Sequence, residues 1–190
     1  MSRHRWGAEG PPLEAYSRVT NAERFAPLHV VAAELLDELE LKFDVERAQG
    51  YGLDSELEEG WKPARPPVTL VPRDVRAGPL VVGFSVFPGL RIRFGRWCMM
   101  AFPACGCDAC DETAESESEQ LKALFENLTA GRFREAIRIP AHGGASKEWE
   151  SWSAAGRYAQ VSELDRDRAR QLVAGGGGSS YYWMPWPRRK

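Results

Sequence analysis

The sequence predicts an α+β fold, a three- to four-stranded antiparallel sheet with two long helices packed on one face. Three observations point there. Apolar residues recur at three- and four-residue steps in two segments. Three runs rich in β-branched and aromatic residues lie between them. The connections inside those runs are too short for a crossover helix, which requires antiparallel pairing. A length of 190 residues with 43% hydrophobic content supports one core of ordinary size, and four cysteines supply the sharpest chemical signal.

Residues 1–19 are rich in Gly, Pro and charge without a period, and read as a flexible N-terminal arm. Residues 20–173 form the single α+β domain. Thr20 and Glu23 have the spacing of a capping box, but Pro27 limits that turn to about Phe25 and starts a new helix. Leu28, Val31, Ala32, Leu35, Leu39 and Phe43 give this helix its apolar face, with Glu34, Asp37, Glu38 and Glu40 opposite. The helix fades by Gly50 and Gly52, and an acidic, proline-broken connection follows.

The runs PVTLVP, PLVVGFSVF and LRIRFGRWCMMAF then make a meander. Alternation places Val68, Leu70, Leu80, Val82, Phe84, Val86, Leu90, Ile92 and Phe94 on one face, with Arg91 and Arg93 on the other. Arg96 falls on the apolar face, which implies a bulge near Gly95. Leu121, Leu124, Phe125 and Leu128 define the second helix, ended by Gly131. Phe133, Ile137 and Ile139 suggest a fourth strand, although Glu135 interrupts its apolar face. EWESWSAAGRYAQV reads as irregular strand, and Ser162 to Val173 as a short charged helix capped by Ser162 and Asp165. Residues 174–190 are a Gly-rich linker with an aromatic, basic tail, suited either to a partner groove or to folding back on the domain.

Net charge is −2, but it is segregated: −7 over residues 1–60, +6 over 61–107, −6 over 108–126 and +5 over 127–190. Internal complementarity within one fold explains this alternation. No apolar run approaches the roughly 20 residues that cross a bilayer. The start also lacks the apolar stretch of a secretory signal, so a cytoplasmic location without membrane attachment is expected.

Cys98, Cys105, Cys107 and Cys110 fall within 13 residues, which excludes a disulfide framework joining distant loops. Three chemistries fit FPACGCDACDET. The two-residue gap between Cys107 and Cys110 suits a tetrahedral metal, with Cys105 a third ligand and Cys98 a fourth, and zinc is the candidate cofactor. A CxxC between strand and helix also has the local order of a redox dithiol, although Asp108, Asp111, Glu112 and Glu115 disfavour a thiolate. Reduced, inert cysteines shaping a loop around Gly106 are the third option.

His4, His29 and His142 have no HxxxH spacing, and neither phosphate-binding glycine motifs nor GxSxG occurs. No catalytic or cofactor-binding residue is assigned. Arg91, Arg93, Arg134 and Arg138 would form a stripe for nucleic acid only if the third and fourth strands were neighbours, and a pI near 6.0 disfavours that use.

The segments RFAPLHVVAAELLDELE, YGLDSELE, VTLVPRD, RFGRW and FPACGCDACDET resemble a family of small actinobacterial cytoplasmic proteins described only as a domain of unknown function. The resemblance covers roughly residues 15–140 and implies no activity, substrate or catalytic residue. The residues themselves favour a non-enzymatic interaction or regulatory module with a protein partner and a structural zinc site at Cys98, Cys105, Cys107 and Cys110. The alternatives are a thiol enzyme or redox sensor using Cys107 and Cys110, and nucleic-acid binding through the arginines.

Overall fold

The computed structural model describes residues 6–7, 9–50, 62–154, 156–174 and 179–190. The motif YGLDSELE, Gly52 and the four-glycine run lie outside them. Short 3-10 turns at Leu13–Ser17 and Ala22–Phe25 precede helix α1 (Pro27–Lys42). Pro27 sits in the first turn, where a missing N–H leaves no helical bond unmade. The expected Thr20 capping box does not form, because the Thr20 hydroxyl and N–H are both given to Asp108. Helix α1 buries Leu28, Ala32, Leu36 and Leu39, as its period dictates.

The first sheet has five antiparallel strands in chain order: β1 (Val45–Gln49), β2 (Pro63–Pro72), β3 (Leu80–Ser85), β4 (Leu90–Phe94) and β5 (Cys98–Phe102). β1 pairs β2 only from Val68 onward, so among the described residues the prolines at 63, 66 and 67 have no β1 partner that needs their N–H groups. The run read as one long strand is a hairpin, with Phe94 opposite Cys98. Gly95 makes the turn at φ +66°, a conformation that favours glycine, in place of the expected bulge.

Helix α2 (Ala114–Thr129) follows the cysteine loop and opens on a capping box between Thr113 and Ser116. The second sheet contains β6 (Phe133–Arg138), β7 (Ala145–Ser153), β8 (Gly156–Leu164) and β9 (Ser180–Tyr182), in the order β8-β7-β6-β9. Helix α3 (Arg166–Ala174) packs Ala169 against Trp97, Ile137 and Ala145. Asp165 rather than Ser162 caps its start, accepting from the N–H groups of residues 167 and 168.

The predicted three- to four-stranded sheet with two long helices on one face is therefore corrected, among the described residues, to two antiparallel sheets, of five and four strands, with three α-helices. The supposed fourth strand does not extend the first sheet. It founds the second, because α2 carries the chain across and the hairpin β7–β8 pairs there. One core serves both sheets. Phe94 of the first sheet stacks on Phe133 of the second at 5.9 Å between ring centroids, and Phe133 stacks on Trp149 at 5.8 Å.

The C-terminal segment folds back over this junction. The Trp183 N–H donates to Phe133 O, Met184 N–H to Arg76 O, Trp186 N–H to Thr129 O, and the Trp186 indole to Gly78 O. Trp183 and Trp186 are buried, so the aromatic tail fills its own domain's groove.

Glu135 explains why an acidic residue interrupts β6. Glu135 is 1% exposed, and its carboxylate accepts four hydrogen bonds. The donors are the N–H of Arg96 at 2.6 Å, of Trp97 at 2.7 Å and of Cys98 at 3.0 Å, with the Trp183 indole at 2.9 Å. Burial raises its pKa, and the four donors partly offset that. Replacing Glu135 with Ala strands those donors, and a buried unpaired donor costs about 1–3 kcal/mol. Urea unfolding of Glu135→Ala should show a loss of about 3 kcal/mol or more, whereas a loss below about 1 kcal/mol would show that the clamp is incidental.

Candidate metal centre

The cysteine loop spans the end of β5 and the start of α2, and two carboxylates shape its backbone. Glu112 accepts from the N–H groups of Ala104 at 3.1 Å, Cys105 at 3.2 Å and Gly106 at 2.6 Å. Gly106 adopts φ +75°, and a Cβ there would press on Phe87 and Pro103, so the turn requires glycine twice over. Asp108, 1% exposed, accepts from the Thr20 N–H at 2.9 Å, the Thr20 hydroxyl at 3.1 Å and Arg18 Nε at 2.9 Å. These bonds, the Thr20 N–H foremost, hold the Asp108 pKa below the ordinary carboxylate value.

The N-terminal turn docks on the far side of this loop. Asp108 N–H donates to Arg18 O at 2.7 Å and Ala109 N–H to Ala15 O at 3.1 Å, while Ala15 is fully buried against Cys107 and Ala109. Arg24 closes the ring, donating to the carbonyls of Gly106 and Cys107 at 3.0 and 3.1 Å.

Within that frame the sulfurs of Cys105, Cys107 and Cys110 all lie within 4.8 Å of one another. Tetrahedral zinc with Zn–S bonds of about 2.3 Å needs sulfurs about 3.8 Å apart, so small rotations close the triangle on an ion. The Cys107 and Cys110 sulfurs are 3.5 Å apart. Hydrogen bonding from Cys105 lowers the Cys107 pKa, whereas the bond to Cys107, helped by burial, pushes Cys110 up to about 12.

Cys98 is elsewhere. It is fully buried in the main core and is not part of the three-sulfur group. Burial, with Glu135 adding to it, raises its thiol pKa, as expected of a small core residue. His29 faces Gly89 O at 2.9 Å and meets Phe84 edge-on, and exposed His142 lies in the loop between β6 and β7. Neither belongs to the group.

The arginine stripe is not assembled, since β4 and β6 belong to different sheets. Arg134 pairs with Glu150 and Arg138 with Glu148, while Arg93 is buried. From the sequence, Asp108 and Glu112 read only as charges that disfavour a thiolate. The role of Asp108 as an internal acceptor was hidden because its Thr20 donor lies 88 residues away.

The chain matches a family of unknown function (DUF6226) over residues 3–190, a longer stretch than the segments of the initial resemblance, and it belongs to that family. No curated protein and no solved structure matches it. Among the described residues, no helix is long and apolar enough to cross a membrane.

Glu117, buried in the first turn of α2, has its pKa raised from 4.5 to about 7 by desolvation and by the Glu112 charge. Between those values the folded chain holds a proton that the unfolded chain has released, so this group's contribution is complete below pH 4.5 and is lost as pH rises through 7. Thermal melts of Glu117→Gln should match the parent near pH 4 and exceed it near pH 8. Equal differences at both pH values would contradict the shift.

Proposed function

We propose that the chain is a non-enzymatic, cytoplasmic interaction or regulatory module whose cysteine loop is fastened by a structural zinc ion on Cys105, Cys107 and Cys110. The observation that carries this reading is the convergence of the three sulfurs within 4.8 Å in a loop already pinned by Glu112 and Asp108. Preorganisation matters because an ion bound to a ready-made loop spends little on ordering it. Three thiolates around a dication leave one negative charge, and Arg24, bonded to the carbonyls of Gly106 and Cys107, lies on the side where that charge is best tolerated.

A zinc ion at this point ties the N-terminal turn to the first sheet. Ala15 packs on Cys107 from one side, and Phe87, which follows β3, meets Gly106 from the other. Phe87, which a side chain at Gly106 would meet, keeps 38% of its surface exposed, apolar area of the kind a protein partner covers.

The second reading is favoured by the 3.5 Å approach of Cys107 and Cys110. With a peroxide as oxidant, their two thiols become one disulfide, giving up two hydrogens as the peroxide O–O bond is cleaved to water. In this reading the loop senses oxidant instead of holding an ion.

One preparation separates the two. Elemental analysis of protein purified under reducing conditions should give one zinc per chain, lost in Cys105→Ser and Cys110→Ser but retained in Cys98→Ala. Metal bound only by the folded chain adds RT ln(1 + [L]/Kd) to stability, about 2.7 kcal/mol at a hundredfold excess over Kd, so a chelator should lower the melting temperature. Four free thiols, no metal and an unchanged melt with added zinc would remove the zinc reading. A loss of two thiols after peroxide treatment, abolished in Cys110→Ser, would install the redox reading in its place.

A further inference from the structure

β8 closes one edge of the second sheet and pairs with β7 without a register shift, from Ala145 opposite Leu164 to Ser153 opposite Gly156. Seven of its nine residues are exposed and the other two half-buried. Edge strands are ordinarily blunted by Lys, Pro or a bulge, and GRYAQVSEL has none of these.

The direction of its backbone groups follows from the neighbouring strands. Trp152 N–H donates to Arg132 O, on the β6 side, so the even-numbered residues of β7 bond to β6 and the odd-numbered ones to β8. The register then gives the even-numbered residues of β8 to β7. Arg157, Ala159, Val161 and Glu163 are left with N–H and C=O groups directed away from the sheet.

We propose that β8 is the contact surface of a homodimer, two copies pairing antiparallel about a two-fold axis at Gln160 so that their second sheets become continuous. That register sets the outward-facing residues against one another: Arg157 opposite Glu163 and Ala159 opposite Val161, each pair occurring twice. On the other face Tyr158 meets Ser162, and Gln160 meets its own copy. A slip by one residue would set outward groups against residues already bonded to β7. A slip by two in either direction separates Arg157 from Glu163. Arg157, 64% exposed at its side chain, already pairs with Glu150 of its own chain, and Glu163 of the second copy adds another acceptor on the same face. Val161 and Tyr158, 68% and 51% exposed, supply the apolar surface that pairing covers.

Sedimentation of the full chain tests this. The wild type should move with concentration from 21.3 kDa towards twice that mass. Glu163→Arg and Arg157→Glu, each placing like charges opposite one another, should each weaken association by about tenfold or more, and an equimolar mixture of the two should restore it. Val161→Pro deletes an outward N–H that β7 does not use, so it should give a monomer that melts like the wild type at dilutions where the wild type is monomeric. If Arg157→Glu fails to fold, Val161→Pro and Glu163→Arg decide the matter. A wild type fixed at 21.3 kDa up to its solubility limit, or a dimer indifferent to these changes, would overturn the proposal.

Discussion

The Glu135 carboxylate is where the two sheets, the β4–β5 turn and the C-terminal segment meet, and the remaining architecture depends on it. A buried carboxylate is costly unless donors fill its lone pairs. Here one oxygen takes the Arg96 N–H and the Trp183 indole, and the other takes the N–H groups of Trp97 and Cys98. Those donors come from the first sheet and from the tail, while Glu135 itself belongs to the second sheet. The same contact fixes residue 95 as glycine, since a side chain there would overlap both the carboxylate and Trp183. It also sets the direction in which β5 departs towards the cysteine loop.

The device recurs twice in that loop. Glu112 collects three successive N–H groups and Asp108 collects Thr20 and Arg18, so acidic residues act as internal acceptors that shape backbone. The segregated charge of the sequence resolves accordingly. Arg47 lies between Asp37 and Glu40, and Glu150 lies between Arg134 and Arg157. Exposed pairs such as Lys42 with Glu38 add little to stability, whereas the buried acceptors decide where loops go.

What could be read from the sequence was local and periodic. The start of α1 at Pro27, the apolar face of α2 and the inward set Val68, Leu70, Leu80, Val82, Phe84, Leu90, Ile92 and Phe94 all follow from spacing, and all are buried or correctly placed. Val86 failed because β3 ends at Ser85 and leaves it exposed. The second sheet was hidden for physical reasons. Glu135 breaks the period of β6 because it serves another sheet, and β8 is polar and exposed on both faces, so neither shows a core-facing alternation. β1, VERAQ, follows α1 closely and has one buried residue, too little to mark a strand. In the cysteine loop, the closeness of Cys105, Cys107 and Cys110 was legible from CxCxxC, and strand alternation already put Cys98 on the apolar face with Ile92 and Phe94, although the turn at Gly95 read as a bulge.

If Glu135 joins both sheets and the tail into one cooperative unit, the amides it holds should open only when the whole chain unfolds. Native-state hydrogen exchange measures this directly, residue by residue. The amide protons of Arg96, Trp97 and Cys98 and the Trp183 indole proton should exchange with the free energy of global unfolding, equal to that of amides in the centres of β3 and β7. Exchange of these four protons at a clearly lower free energy, with β3 and β7 still protected, would show that the sheets hold together without the clamp and would contradict the account.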